Sequence, residues 1–119
     1  MNQSTSGSIL ARLLTKLGVN DFDIIRKADI PHSHAENAII NLDDFDKGSH
    51  WVAINRKHKL YFDSYGRPPP NEVPRNYRYN TKIIEGIKQQ DCGQLCALWL
   101  HYVNHKTPDE FYRLFKALY

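Results

Sequence analysis

Apolar residues first recur at helical spacing. Leu10, Leu13, Leu14 and Leu17 fall on one face and Gly18 follows as a stop, which predicts a helix over about residues 8–17. Residues 1–7 ahead of it are small and polar and are expected to be flexible. Phe22, Ile24 and Ile25 form a group too short to separate a second helix from a bend, and residues 31–37 read as loop. The period then changes. Short apolar runs at 38–42, 51–54 and 60–62 are split by turns at 43–49 and 56–59, the pattern of an antiparallel meander. Gly66 and the run Pro68, Pro69, Pro70 exclude regular structure, and residues 81–85 offer one more short strand. Helical spacing returns with Leu95, Leu98, Trp99, Tyr102 and Val103, and Cys92 and Cys96 widen that face. Thr107 and Glu110 form a capping box around Pro108, and Phe111, Leu114, Phe115 and Leu118 give the stripe of a last helix. Strands followed by helices predict an α+β fold: a short antiparallel sheet packed against a central helix that begins at Cys92, with additional helices around it.

Composition narrows the setting. At 119 residues the chain fits one domain, 1–119, with a core that needs no disulfide. Hydrophobic residues make up 41% and charged residues 24%, which excludes a disordered chain. The apolar stretch around Leu98, Trp99 and Leu100 falls far short of the roughly 20 residues of a membrane span, so no membrane partner is expected. No charged segment followed by an apolar run opens the chain, so secretion is not expected. Cys92 and Cys96 stand four apart, a spacing unsuited to a bridge within a helix, and this favours a reducing compartment. The net charge of +3 permits contact with nucleic acid without requiring it.

Three residues then stand out together. His50 opens the second strand after a glycine turn, Asp63 closes the third, and Cys92 heads the amphipathic helix with Gly93 behind it. A cysteine nucleophile works as the thiolate, and the positive end of a helix favours negative charge there. A histidine takes or gives the proton and an acid orients the histidine. If the two strands pair through a short hairpin, His50 and Asp63 become cross-strand neighbours. Each residue also has an ordinary reading: small core filler for Cys92, a strand-edge residue for His50, a turn residue for Asp63.

The run Gly48-Ser49-His50-Trp51-Val52-Ala53-Ile54, then Tyr61-Phe62-Asp63-Ser64-Tyr65-Gly66 with Pro68-Pro69, then Asp91-Cys92-Gly93, resembles the adenovirus-type cysteine proteases of adenoviruses, virophages and related large DNA transposons. The SUMO-type ubiquitin-like-protein proteases share that core and the His, Asp, Cys order. The resemblance covers residues 37–103. It implies a papain-like, adenain-like core and an endopeptidase that cleaves viral precursor proteins in the virion and infected host cell. In it Cys92 is the nucleophile, His50 the general base and acid, and Asp63 the residue that orients His50. The Cys92 backbone N–H serves the oxyanion hole, and Trp51 and Gly93 flank the site. No metal or organic cofactor is required, while DNA or a peptide activator is admitted by the resemblance. The chain departs from the family at one point. A glutamine donor to the oxyanion belongs six or seven residues before the cysteine, where Gly86 and Glu85 stand instead. An ionised glutamate cannot donate. Gln89, three residues before Cys92, is the nearby substitute. Loss of one oxyanion donor typically costs about 100- to 1000-fold in rate. A modifier-processing enzyme and a silent protease-fold binding or virion protein are the two alternatives.

Other groups carry less. His32, His34 and Glu36 have strand-like metal-ligand spacing without a partner cluster, and His101 and His105 read as a surface or partly buried helical pair. Arg67, Arg75, Arg78, Lys82 and Lys88 flank Tyr77 and Tyr79, a composition able to hold nucleic-acid backbone that reads more simply as a solvated loop.

Overall fold

The computed structural model describes residues 6–42, 50–84 and 92–118, and for 116–118 the backbone alone. The first helix, α1 (Gly7–Lys16), starts where the Ser6 hydroxyl accepts the Ile9 N–H at 3.3 Å. Ser6 and Gly7 therefore belong to the helix and its cap rather than to a flexible leader. Residues 1–5 lie outside the described residues.

Five strands form one sheet in the order of the chain: β1 (Phe22–Arg26), β2 (Asn37–Asn41), β3 (Trp51–Asn55), β4 (Leu60–Phe62) and β5 (Arg78–Tyr79). The three central strands pair antiparallel, as their apolar runs predict. The sheet as a whole is mixed, because β1 runs parallel to β2 and β5 parallel to β4. That corrects the expectation of a purely antiparallel sheet. It also resolves Phe22, Ile24 and Ile25 as strand. A short 3-10 helix, Lys27–His32, carries the chain from β1 back to β2, so Pro31 and His32 lie in helix rather than loop. The expected strand at 81–85 is absent over 81–84, and Glu85 lies outside the described residues. The stretch is diverted instead by Asn80, whose amide donates to the Lys82 carbonyl, and by the Ile84 N–H, which reaches the Ser64 carbonyl at 2.9 Å.

The sheet is buried on both faces. On one, Ile39, Trp51, Ala53 and Phe62 pack against Leu10 and Leu14 of α1 and against α2 (Cys92–His105) and Phe111 of α3 (Pro108–Leu118). On the other, Ala38, Ile40, Val52, Ile54 and Tyr61 meet Ile30 and Val73. Both sets follow the two-residue period of a strand. Helix α2 buries Cys92, Gly93, Leu95, Cys96, Ala97, Trp99, Leu100 and Val103, too wide an arc for a surface helix. It is the centre of the molecule, as expected. A buried asparagine set ties it to the sheet. Asn37 Oδ1 accepts from Asn55 at 2.8 Å and from Asn104 at 2.9 Å. Thr107 caps α3, its hydroxyl accepting the Glu110 N–H at 3.2 Å.

Candidate active site

The β3–β4 hairpin and the start of α2 meet at one end of the sheet. His50 directly precedes β3, and its carbonyl accepts the Leu42 N–H at 3.0 Å, which prolongs the β2 ladder past its last strand pair. Asp63 directly follows β4. The register pairs Ala53 with Phe62. Continued outward, it sets Val52 opposite Asp63 and His50 opposite Tyr65. His50 and Asp63 are thus diagonal neighbours, not direct ones. The imidazole reaches back two positions, and its Nε2 donates to Asp63 Oδ1 at 2.8 Å. Tyr65 fills the opposite place and stacks on the imidazole, ring centroids 4.9 Å apart and planes 12° from parallel.

Asp63 is held from several sides. Its Oδ1 also accepts the Tyr65 N–H at 2.8 Å, and its Oδ2 accepts from Arg67 Nε at 3.3 Å. Asn80 clamps its backbone: the side-chain oxygen accepts the Asp63 N–H at 3.2 Å, and the amide donates to the Asp63 carbonyl at 2.6 Å. Gly66, at φ +69°, closes the following turn so tightly that a Cβ there would stand 2.7 Å from the backbone of Thr81. The tertiary roles of Tyr65, Arg67 and Asn80 are not visible in the sequence. Tyr65 appears there only as a letter of a motif, and Arg67 as part of a basic loop.

Cys92 is the first residue of α2. Its sulfur accepts the Trp51 backbone N–H at 3.3 Å, so the residue after the histidine fixes the thiol beside the histidine strand. Gly93 allows this approach. A Cβ there would meet Leu10 at 3.1 Å and the Trp51 indole at 3.2 Å. Cys96, one turn on, is fully buried, and both cysteines are free thiols.

Electrostatics couples these groups. Burial alone would lower the proton affinity of His50. The hydrogen bond to Asp63 and then the contact with Cys92 outweigh it, with the charges of both adding, and push the pKa from 6.5 up to about 9. Burial would likewise raise Asp63, but the His50 hydrogen bond and charge, the Tyr65 N–H and Arg67 carry it below its ordinary value. Both shifts favour an imidazolium on a carboxylate at neutral pH. Burial, with the charges of Cys92 and Asp63, pushes the Cys96 thiol well up and leaves it protonated. His50, Asp63 and Cys92 are all 2% exposed or less.

Four buried side-chain polar atoms among the described residues make no hydrogen bond of good geometry: His50 Nδ1, Trp51 Nε1, Tyr61 OH and Ser64 Oγ. All four belong to His50, Asp63 or residues within two positions of them. Unpaired buried polar groups are uncommon, and each calls for an explanation.

The remaining candidates scatter. His101 Nδ1 bonds the Leu17 carbonyl at 2.8 Å and His105 Nε2 the Gly18 carbonyl at 2.6 Å, so this pair caps the end of α1. Among the described residues no group of three or more His, Cys, Asp or Glu side chains stands close enough to share a metal, the set at His32, His34 and Glu36 included. Arg78 and Tyr79 form the exposed edge strand β5, while Arg67 turns to Asp63. Glu85 and Gln89, the two candidates for the oxyanion donor, lie outside the described residues, as do Gly48, Ser49 and Asp91. No helix among the described residues is long and apolar enough to cross a membrane. No protein-family model matches the chain, and no curated protein matches it in sequence.

Proposed function

We propose that the chain is a cysteine peptidase built on an adenain-like core, in which Cys92, His50 and Asp63 form the catalytic triad. The observation that carries this reading is the buried His50–Asp63 pair at 2.8 Å, with the Cys92 sulfur tied to the adjoining residue at the N-terminus of the central helix. A central helix with its first residue against the end of a sheet is the arrangement such a core requires.

The chemistry is acyl transfer. The Cys92 thiolate attacks the carbonyl carbon of a peptide bond, and charge builds on the carbonyl oxygen, where the backbone N–H of Cys92 donates. The C–N bond breaks as the His50 imidazolium gives its proton to the leaving amine, leaving a thioester on Cys92. His50, now neutral, takes a proton from water, which attacks the thioester and releases the acid and the Cys92 thiolate, restoring the starting thiolate and imidazolium. Asp63 holds the imidazole in one orientation and stabilises its charged form throughout. Substrates are viral precursor proteins, processed in the virion and infected cell, as the sequence resemblance implies.

The test is alkylation of Cys92 by iodoacetamide between pH 5 and 10, read by mass spectrometry of the native chain. Cys92→Ser serves as the blank and His50→Ala as the partner variant. Cys96 is buried and held protonated, so it contributes little signal. The expected result is fast alkylation at pH 6–7 that drops about 10-fold or more in His50→Ala, the scale of a lost activating base. A rate indifferent to His50 at every pH, or no reaction of the native thiol where the denatured chain reacts, sinks the peptidase reading. It would leave a silent protease-fold protein. Reaction of an active Cys92 with a modifier-derived thioester probe, but not with peptides, would instead indicate a processing enzyme for ubiquitin-like modifiers.

A further inference from the structure

The loop after β4 carries an arginine that the acyl-transfer scheme leaves without a role. Asp63 divides its two oxygens. Oδ1 accepts from His50 Nε2, and Oδ2 accepts from Arg67 Nε at 3.3 Å. The same guanidinium stands 5.5 Å from the centroid of Tyr65, the ring stacked on the imidazole. Arg67 thus meets the triad directly at the Asp63 carboxylate and indirectly through the ring that stacks on His50. Its exposure sets it apart: its side chain is 48% exposed, against 1% for Asp63. One end of this chain of groups is buried and the other is in water.

We propose that Arg67 is a positioning residue for the triad: it holds the second oxygen of Asp63 so that the first is aimed at His50, and by drawing on the same carboxylate it limits how tightly Asp63 holds the imidazolium. The inference rests on the peptidase reading for its purpose, but its geometry and its test do not. Two cations compete for one buried carboxylate. With both present, the negative charge is shared. With Arg67 removed, His50 has it alone and keeps its proton to higher pH. A histidine that must release a proton to the leaving amine and then act as a base gains from that limit.

The other groups that face this pair are few among the described residues. Cys92 from α2 and Tyr65 from the loop lie against His50, and the charge of Asp63 also reaches Tyr61 of β4 and Cys96 of α2. Burial first, with neighbouring negative charge, raises both tyrosines and Cys96, so these three stay neutral through the physiological range. That leaves Arg67 as the exposed cation beside the His50–Asp63 pair.

The experiment uses the full chain with Arg67→Met and Arg67→Lys. The His50 imidazole is titrated by proton–carbon NMR, with His50→Gln to assign its signal, at 0.05 M and 1 M NaCl. Arg67→Met is expected to titrate higher than wild type by roughly half a pH unit, the scale of an exposed ion pair. Arg67→Lys should fall between them. High salt should move wild type toward Arg67→Met and leave Arg67→Met nearly still, because an exposed charge is screened. A His50 titration that is the same in both chains, or lower in Arg67→Met, overturns the proposal, as does an equal salt response. A thermal melt checks that Arg67→Met is folded. If it is not, Arg67→Lys and the salt response of wild type decide. Failure of the peptidase reading appears separately, as alkylation of Cys92 that ignores His50.

Discussion

Replacing Asp63 by asparagine should change how stability depends on pH, and the direction follows from the site. His50 is 2% exposed and its pKa rises from 6.5 in a free chain to about 9 in the fold. At about 1.4 kcal/mol for each pH unit, that rise stabilises the fold by about 3 kcal/mol. The folded pKa lies above the unfolded one, so this contribution is complete below pH 6.5. It fades as pH rises and is gone once pH passes about 9. The Asp63 carboxyl is shifted the other way. Its contribution is present above the free-chain value of 3.8 and is lost as pH falls through its lowered folded value. Asparagine keeps the shape and an acceptor for Nε2 but carries no charge, and burial then favours the neutral imidazole. The assay is urea unfolding of both chains at pH 5.5, 6.5, 7.5, 8.5 and 9.5, extrapolated linearly. The wild-type advantage should be largest at pH 5.5–6.5 and should shrink by about 2–3 kcal/mol by pH 9.5. An advantage that stays constant across that range would refute the buried ion pair.

The loop and core make further predictions. Gly66→Ala places a Cβ 2.7 Å from Thr81 backbone at a positive φ, and nothing flexible can yield, so a loss of about 2 kcal/mol or more is expected in urea unfolding, with slower Cys92 alkylation. Asn80→Ala removes both backbone bonds to Asp63 and should cost about 1–3 kcal/mol, and NMR should show His50 released from its single environment. Asn37→Ala leaves the fully buried Asn55 amide without its acceptor, far from the thiol, so stability should fall by about 1–3 kcal/mol while alkylation of Cys92 at neutral pH is unchanged. A coupled loss of both in Asn37→Ala would mean that the helix and the site do not fold as separable parts.

The central strands and the helices were legible because their periods are strong and local. Trp51 to Asn55, Leu60 to Phe62 and the face of Leu95, Trp99 and Val103 stand in the chain as they stand in the fold. β1 was not legible. Its residues are partly covered on both sides, which erases the alternation, and its parallel pairing to β2 depends on partners fifteen residues away. β5 has two residues and no period at all. The candidate triad could be named from His50, Asp63 and Cys92 alone, but its geometry could not. A direct cross-strand pair was the natural expectation, and the register makes the pair diagonal with Tyr65 in the direct place. Arg67 and Asn80 act on Asp63 from four and seventeen residues away. Their spacing means nothing until the loop has closed at Gly66.

A histidine can be buried for packing alone, so burial does not separate a site from a core. The hydrogen-bond balance does. Asn37 and Asn55 are as buried as His50, and their amides are paired with one another, with Asn104 or with backbone. That is how a polar group placed for stability is treated, because each unpaired one costs about 1–3 kcal/mol. Around His50 and Asp63, four buried side-chain atoms have no well-formed hydrogen bond among the described residues: His50 Nδ1, Trp51 Nε1, Tyr61 OH and Ser64 Oγ. An apolar residue at position 50 would avoid both the open nitrogen and the buried charge. Packing alone therefore gives no reason for the histidine. A second nitrogen left beside Cys92 for a proton in transit, with the Cys92 sulfur held by the Trp51 N–H, does give one.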